Sequence, residues 1–393
     1  MTPNPRSQNY DGPVFLSHGF RPFFLLGAIF AGLAMMLWMP VYTGAANLET
    51  AFKPRDWHIH EMLYGYLPAV ITGFLLTAVP NWTGRLPVRG APLLMLVLIW
   101  VAGRLVISVS AWTGWVFATF VDCSFLLVIA FVSAREIAAG KNWNNAKVLV
   151  AVSLLLAGNA IFHIEAHFNG MADYGVRLGI AAAIMLVMLI GGRIVPSFTR
   201  NWLVRQNPGR LPVPFGTFDM VSMAVSGGAL IAWIVAPTWP ACGAALIVAG
   251  LLQAVRLARW AGDRTFRDRL VLILHLAYAF IPAGFVLIGL SALTAMPASA
   301  GTHAWMAGTV GGMTLAVMSR SSLGHTGRAL LACPATQMVY LLVLASALAR
   351  ITAALWPEWG MPLIHFAGLS WALAFFGFAI AYWGTLTGPR LKR

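Results

Sequence analysis

The stretch APLLMLVLIWVAGRLVISVSAWTGWVFATFVDCSFLLVIAFVSA, residues 91–134, decides how this chain folds. Its only charges are Arg104 and Asp122, and it divides at a short turn, Ala111-Trp112-Thr113-Gly114. Each half is about 20 residues of nearly unbroken apolar sequence. That is the length a helix needs to cross a bilayer at about 1.5 Å per residue. Two such halves on a tight turn make a transmembrane hairpin.

The same unit recurs along the whole chain. Of 393 residues, 59% are hydrophobic and 10% charged, where a soluble domain carries about 25% charge. Apolar runs cover 22–43, 59–80, 91–111, 114–134, 147–168, 175–196, 216–236, 238–257, 269–291, 302–319, 329–352 and 363–387. The expected fold is all-α and integral to the membrane, with about twelve transmembrane helices. It reads as one membrane domain over 1–393: an N-terminal cytoplasmic segment 1–21, helices within 22–387 and a cytoplasmic tail 388–393. The segment Met1 to Asp11 is polar and lacks the apolar core of a signal peptide, so the first span is expected to be retained.

The basic residues orient these spans. Arg6 and Arg21, Arg85 and Arg89, Arg135 to Lys147, Arg193 to Arg210, Arg256 to Arg269, Arg320 and Arg328, and Arg390 to Arg393 all flank alternate loops. They account for 21 of the 26 Lys and Arg residues, with Lys53, Arg55 and Arg177 on the opposite side. The positive-inside rule then puts both termini in the cytoplasm. It also explains the net charge of +14 without nucleic acid as a partner. A faint repeat accompanies the alternation. The second, sixth and tenth spans end in AVPNWTGR, IVPSFTR and AVMSR, four helices apart, which suggests three four-helix units.

On this topology five of nine histidines, His58, His60, His163, His167 and His303, fall at the outer face. Imidazole is the commonest metal ligand, and ionisable groups inside spans are rare and usually functional. A buried redox-metal site is the reading this supports. WHIHEM (57–62) opens the second span; His58 and His60 point about 200° apart on a regular helix, and Glu61 can relay protons or orient a ring. An interfacial anchor of His and Trp is the competing reading. His163 and His167 lie at i, i+4 near the end of the fifth span, a plausible metal clip. His303 opens the tenth span before Gly308, Gly311 and Gly312, small residues that let a helix or a planar macrocycle approach. His365 reads as interfacial.

At the inner face, His18, His275 and His325 could form a site, cap helix ends or meet lipid phosphates. Arg104 and Arg177 fall on the outer side, where an arginine fork suits haem propionates; Asp122 is the rival partner for Arg104. Cys123, Cys242 and Cys333 are isolated and read as packing residues, and no Cys-x-x-Cys-His attaches a c-type haem. A haem here would be haem b, held without a covalent bond.

Six segments carry a resemblance. SHGFRPFF (17–24), WHIHEM (57–62), GFLLTAVPNWTGR (73–85), GGRIVPSFTRNW (191–202), HLAYAFIP (275–282) and SLGHTGR (322–328) resemble the NnrS family over about 15–330. That family comprises multi-spanning membrane proteins holding haem and copper, linked to nitric oxide metabolism and nitrosative-stress defence in denitrifying bacteria. The resemblance implies His58, His60, His163, His275, His303 and His325 as motif histidines; His18 stands where many members carry another residue. The expected protein is thus a haem–copper oxidoreductase of the bacterial inner membrane that binds nitric oxide and reduces it at a buried periplasmic-side site. Haem b and copper would be held by His58, His60, His163 and His303, with His167 and His275 as further metal ligands, Arg104 and Arg177 at the haem, and Glu61 as proton donor. Membrane lipid and a quinol or external electron donor are the other expected partners. Two other classes stay open, a non-enzymatic nitric oxide protection or sensing protein and a proton-coupled secondary transporter.

Overall fold

Proline and glycine set where the helices of this chain begin and end. Pro54, Pro92, Pro240 and Pro334 each occupy a first-turn position, where the missing N–H has no helical partner to lose. Gly90 and Gly114 adopt φ of +67° and +83°, the left-handed region that lets the chain reverse between membrane helices. A computed structural model describes residues 10–83, 86–141 and 143–391, with the side chains of 79–83 and 144 left undescribed. The first of the three sequence echoes, and Arg6, Arg85, Lys392 and Arg393, therefore lie outside the described residues or side chains.

Among the described residues all regular structure is helical. In chain order the main helices are α1 (Phe20–Tyr42), α2 (Pro54–His60), π1 (Glu61–Tyr66), α3 (Leu67–Thr83), α4 (Ala91–Ser108), α5 (Ser110–Thr113), α6 (Trp115–Ala139), α7 (Ala146–Phe168) and α8 (Tyr174–Gln206). There follow α9 (Thr217–Val235), α10 (Pro240–Ala258), α11 (Arg269–Leu293), α12 (Ala298–His303), π2 (Ala304–Gly311), α13 (Gly312–His325), α14 (Pro334–Leu355) and α15 (Gly360–Thr387). Among the described residues, eleven helices are long and apolar enough to cross a membrane. The tenth expected span, 302–319, is helical throughout but assembled from α12, π2 and α13, and is nearly all buried. Outward faces are apolar in the manner of lipid contact: Phe117, Phe120, Leu127 and Phe131 of α6 are all exposed.

The chain divides into two compact units. The first comprises Met1–Gly179, Ser321–Ala329 and Ala379–Arg393; the second comprises Ile180–Arg320 and Leu330–Phe378. In the first, α1 packs on α3, and α6 packs on α4 and α7. In the second, α10 runs along α11, where Gly243 and Gly289 bring the two backbones close.

Carboxylates satisfy several helix starts. Asp268 accepts from Leu270 N at 2.9 Å and Val271 N at 3.2 Å. Glu165 does more. It accepts from the backbone N–H groups of Asp173 (3.1 Å), Tyr174 (3.1 Å) and Gly175 (2.8 Å), so one anion serves three orphan donors at the positive end of α8. This ties the end of α7, where His163 sits, to the next helix. Glu165→Ala should lower unfolding stability by about 1–2 kcal/mol. Denaturant unfolding in detergent micelles checks it; an unchanged midpoint would show the cap to be idle.

Candidate metal centre

His60 is the last residue of α2, and π1 starts at the next residue. A π segment inserts one residue and turns the remainder of the span by about 100° relative to a continuing α-helix. The break frees backbone acceptors. Gly65 O takes one donor from outside, Trp100 Nε1 at 2.9 Å. Tyr64 of π1 sends its hydroxyl to Gly175 O at 2.6 Å, through space left by the missing side chains of Gly158 and Gly179. Together these bonds hold the His60 end of α2 against α4, α7 and α8.

His60 then meets polar groups from three other helices. Its Nε2 lies 3.2 Å from Asp122 Oδ2 on α6 and 3.0 Å from Asn159 Oδ1 on α7. His163 Nε2, one turn beyond Asn159, lies 3.2 Å from the same Asp122 oxygen. Asn159 Nδ2 donates to Asp122 Oδ2 at 2.6 Å, which fixes its amide with Oδ1 toward His60. Arg104 of α4 donates through Nη1 to Glu61 Oε1 at 2.7 Å and through Nη2 to Asp122 Oδ1. Glu61 Oε1 also faces His60 Nδ1 at 2.9 Å. All six side chains are buried. Phe52 closes the cluster, its ring 5.0 Å from His60 and 5.2 Å from His163. A Cβ on Gly65 would collide with Arg104 Nη1, so that glycine is what admits the guanidinium.

The arrangement has more acceptors than protons. Both ring nitrogens of His60 face oxygens, yet a neutral imidazole carries one N–H. Two carboxylates also share a single guanidinium. Uncompensated negative charge in a buried site is expensive. A proton on an imidazole or a bound cation resolves both problems. One ligand atom each from His60, Asp122 and His163 lies within 4.8 Å of the others, a set able to hold a metal ion.

The other histidines have separate surroundings. His58 stacks on Trp38, with ring centroids 4.3 Å apart and planes at 28°, as expected if His58 and His60 leave the helix on different sides. His167 is exposed and stacks on Trp115 at 4.4 Å, so the i, i+4 pair does not close on one ion in this structure. In the second unit, His303 Nδ1 donates to Ser299 O at 2.7 Å, which puts the ring's lone pair on Nε2. Gly308, Gly311 and Gly312 behind it are filled by Phe280, Trp371 and Ala277, so these small residues serve helix packing. His275 is buried on α11 with Nε2 2.8 Å from Thr199 Oγ1. Because Thr199 donates its only proton to Val195 O (2.8 Å), His275 Nε2–H donates to Thr199, and the bare Nδ1 lies against Gly262. His365 is exposed and bonds Met361 O. Arg177 lies over the Tyr174 ring at 4.6 Å.

Asp122 and Asn159 join the cluster beyond the site residues expected from sequence. Sequence offers Asp122 only as an ion-pair partner of Arg104, a pairing the structure contains. Asn159 carries a helical signal, since it lies at i−4 from His163 on the same face. Arg104→Gln should destabilise the protein by about 3–5 kcal/mol, because it strands two carboxylates. Adding Asp122→Asn should recover part of that loss. Unfolding midpoints of the two single variants and the double variant check this; strictly additive losses would remove the coupling.

The sequence model of one protein family, described as NnrS protein, matches residues 14–390. No curated protein is significantly similar to the chain. A match over nearly the whole length, on a many-spanned helical membrane fold, makes this chain a member of the NnrS family.

Proposed function

We propose that this protein is a haem–copper membrane protein that binds nitric oxide and reduces it at a buried site. The observation that carries the reading is the His60–Asp122–His163 cluster, whose oxygen acceptors exceed the protons available to them. The donor set suits copper: imidazole is a good ligand for it, and a carboxylate adds charge. His60 has the supporting bond expected of a metal ligand, with Glu61 on its far nitrogen. The residues also suit haem b at a second place, His303, whose Nδ1 bond to Ser299 O selects the tautomer an iron ligand needs. Bound haem iron would hold nitric oxide, and bound copper would pass electrons.

The chain's own residues would then manage protons and charge. Two nitric oxide molecules, two protons and two electrons give nitrous oxide and water, so each turnover needs a proton route. Glu61 is the proposed proton donor: its carboxyl is buried directly beside His60, 2.9 Å from Nδ1, the nitrogen that faces away from Asp122. Arg104 holds both carboxylates in place through the cycle. A quinol or external donor would supply the electrons. The basic-residue alternation supports placement in the bacterial inner membrane with both termini cytoplasmic and the cluster toward the periplasm.

Purified protein loaded with copper should lose most of it in His60→Ala and in His163→Ala, by metal analysis. Wild-type loading should fall as pH is lowered, because protons compete with the metal for the same imidazole nitrogens. With a reductant present and oxygen absent, the wild type should consume nitric oxide and Glu61→Gln should do so at least about tenfold more slowly. Copper retained in both histidine variants would overturn the site. Nitric oxide bound but not consumed would leave a binding protein in place of a reductase.

A further inference from the structure

The ends of several helices in the first unit gather cations without matching acids. Gly90 N donates to Leu16 O at 2.9 Å, and Leu391 N donates to Thr326 O at 2.9 Å. These bonds join the 14–21 segment to the 89–90 turn, and the end of α13 to the chain beyond α15. Phe20 then lies between two imidazoles, its ring centroid 6.0 Å from His18 and 5.6 Å from His325. Arg21 is buried and uses Nη1 on the carbonyls of Leu386 and Gly388, both at 2.8 Å. Arg328 Nη2 reaches Gly384 O at 3.4 Å. The C-terminal end of α15 thus offers these two guanidinium groups about half a negative charge. That does not offset Arg21, Arg328, Arg390 and Arg89 together.

Two further features point to a missing acceptor. Arg21 Nε and Arg328 Nη1 are buried and bond nothing within the described residues. Burial lowers the His18 pKa to about 4, and His325, Arg21, Arg390 and Arg89 all push it the same way, while no carboxylate opposes them. Among the described residues no carboxylate forms a salt bridge with any of these six groups. Guanidinium forks with spare N–H groups match a tetrahedral oxyanion, which accepts several charge-assisted bonds at once.

We propose that His18, Arg21, His325, Arg328 and Arg390 form a binding site for a phosphate group. The group would be that of an anionic phospholipid or a free phosphate. Arg21 and Arg328 would donate their unused N–H groups, while Arg390 and His325, exposed at the rim, would admit the ligand.

The test uses the full-length protein in detergent. Its unfolding midpoint is followed against inorganic phosphate, and separately against micelles doped with phosphatidylglycerol, both at fixed ionic strength with chloride as the reference. Saturable stabilisation by phosphate alone assigns the site to the free ion; stabilisation by phosphatidylglycerol alone assigns it to lipid. Either should weaken at least about tenfold in apparent affinity in the double variant Arg328→Gln/Arg390→Gln. Arg390→Gln alone, at an exposed position, gives a smaller loss and serves if the double variant does not fold. Arg267→Gln, an exposed arginine of the other unit, should leave binding unchanged. Chloride acting as well as phosphate, no response to either ligand, or equal affinity in the Arg390→Gln variant would overturn the assignment.

Discussion

The Asp122 carboxylate holds the candidate centre together. One oxygen takes Arg104; the other faces two imidazoles and the Asn159 amide. These groups come from α2, α4, α6 and α7, of which α4 and α6 are otherwise largely apolar. In a bilayer there is no hydrophobic drive to choose among helix registers, because lipid tails are as apolar as leucine. A buried polar network does choose. A one-residue slip of α7 would withdraw both Asn159 and His163 from Asp122. The same constraint explains Gly65, whose lack of a side chain lets Arg104 reach Glu61 from the far side.

Such a network is under electrostatic tension of its own making. Two carboxylates, one guanidinium and two imidazoles cannot all be satisfied with neutral rings, and every member is shielded from water. The unmet demand is for positive charge close to Asp122 Oδ2. A metal ion at that place would satisfy it, and Glu61 behind His60 would orient the ring and raise its basicity. Structure and function here are linked through one quantity, the charge the cluster must import.

Much of this was legible in the residues, and the remainder was hidden for definable reasons. Apolar run length and the alternation of Arg and Lys foresee a many-spanned helical membrane protein, since bilayer thickness leaves little choice. The divergence of His58 and His60 follows from helix periodicity, and the stacking of His58 on Trp38 agrees with it. Asp122 as a centre of convergence was not legible, because periodicity gives a residue's face but not which helix lies opposite. The π segments were also hidden. Both come directly after a motif histidine, His60 before π1 and His303 before π2, in the second and tenth expected spans. The sixth expected span, within α8, is plain α-helix, so the echo among the three span ends does not extend to this device. Nothing in side-chain pattern alone distinguishes an i→i+5 turn from an i→i+4 turn.

The central claim is that His60, His163 and Asp122 together hold a metal ion. Pulsed electron paramagnetic resonance of the copper(II)-loaded protein tests it most directly. The account predicts modulation from the remote nitrogens of two imidazoles, reduced to one in whatever copper His163→Ala still retains. Copper showing no imidazole modulation, or a pattern unchanged in that variant, would contradict it.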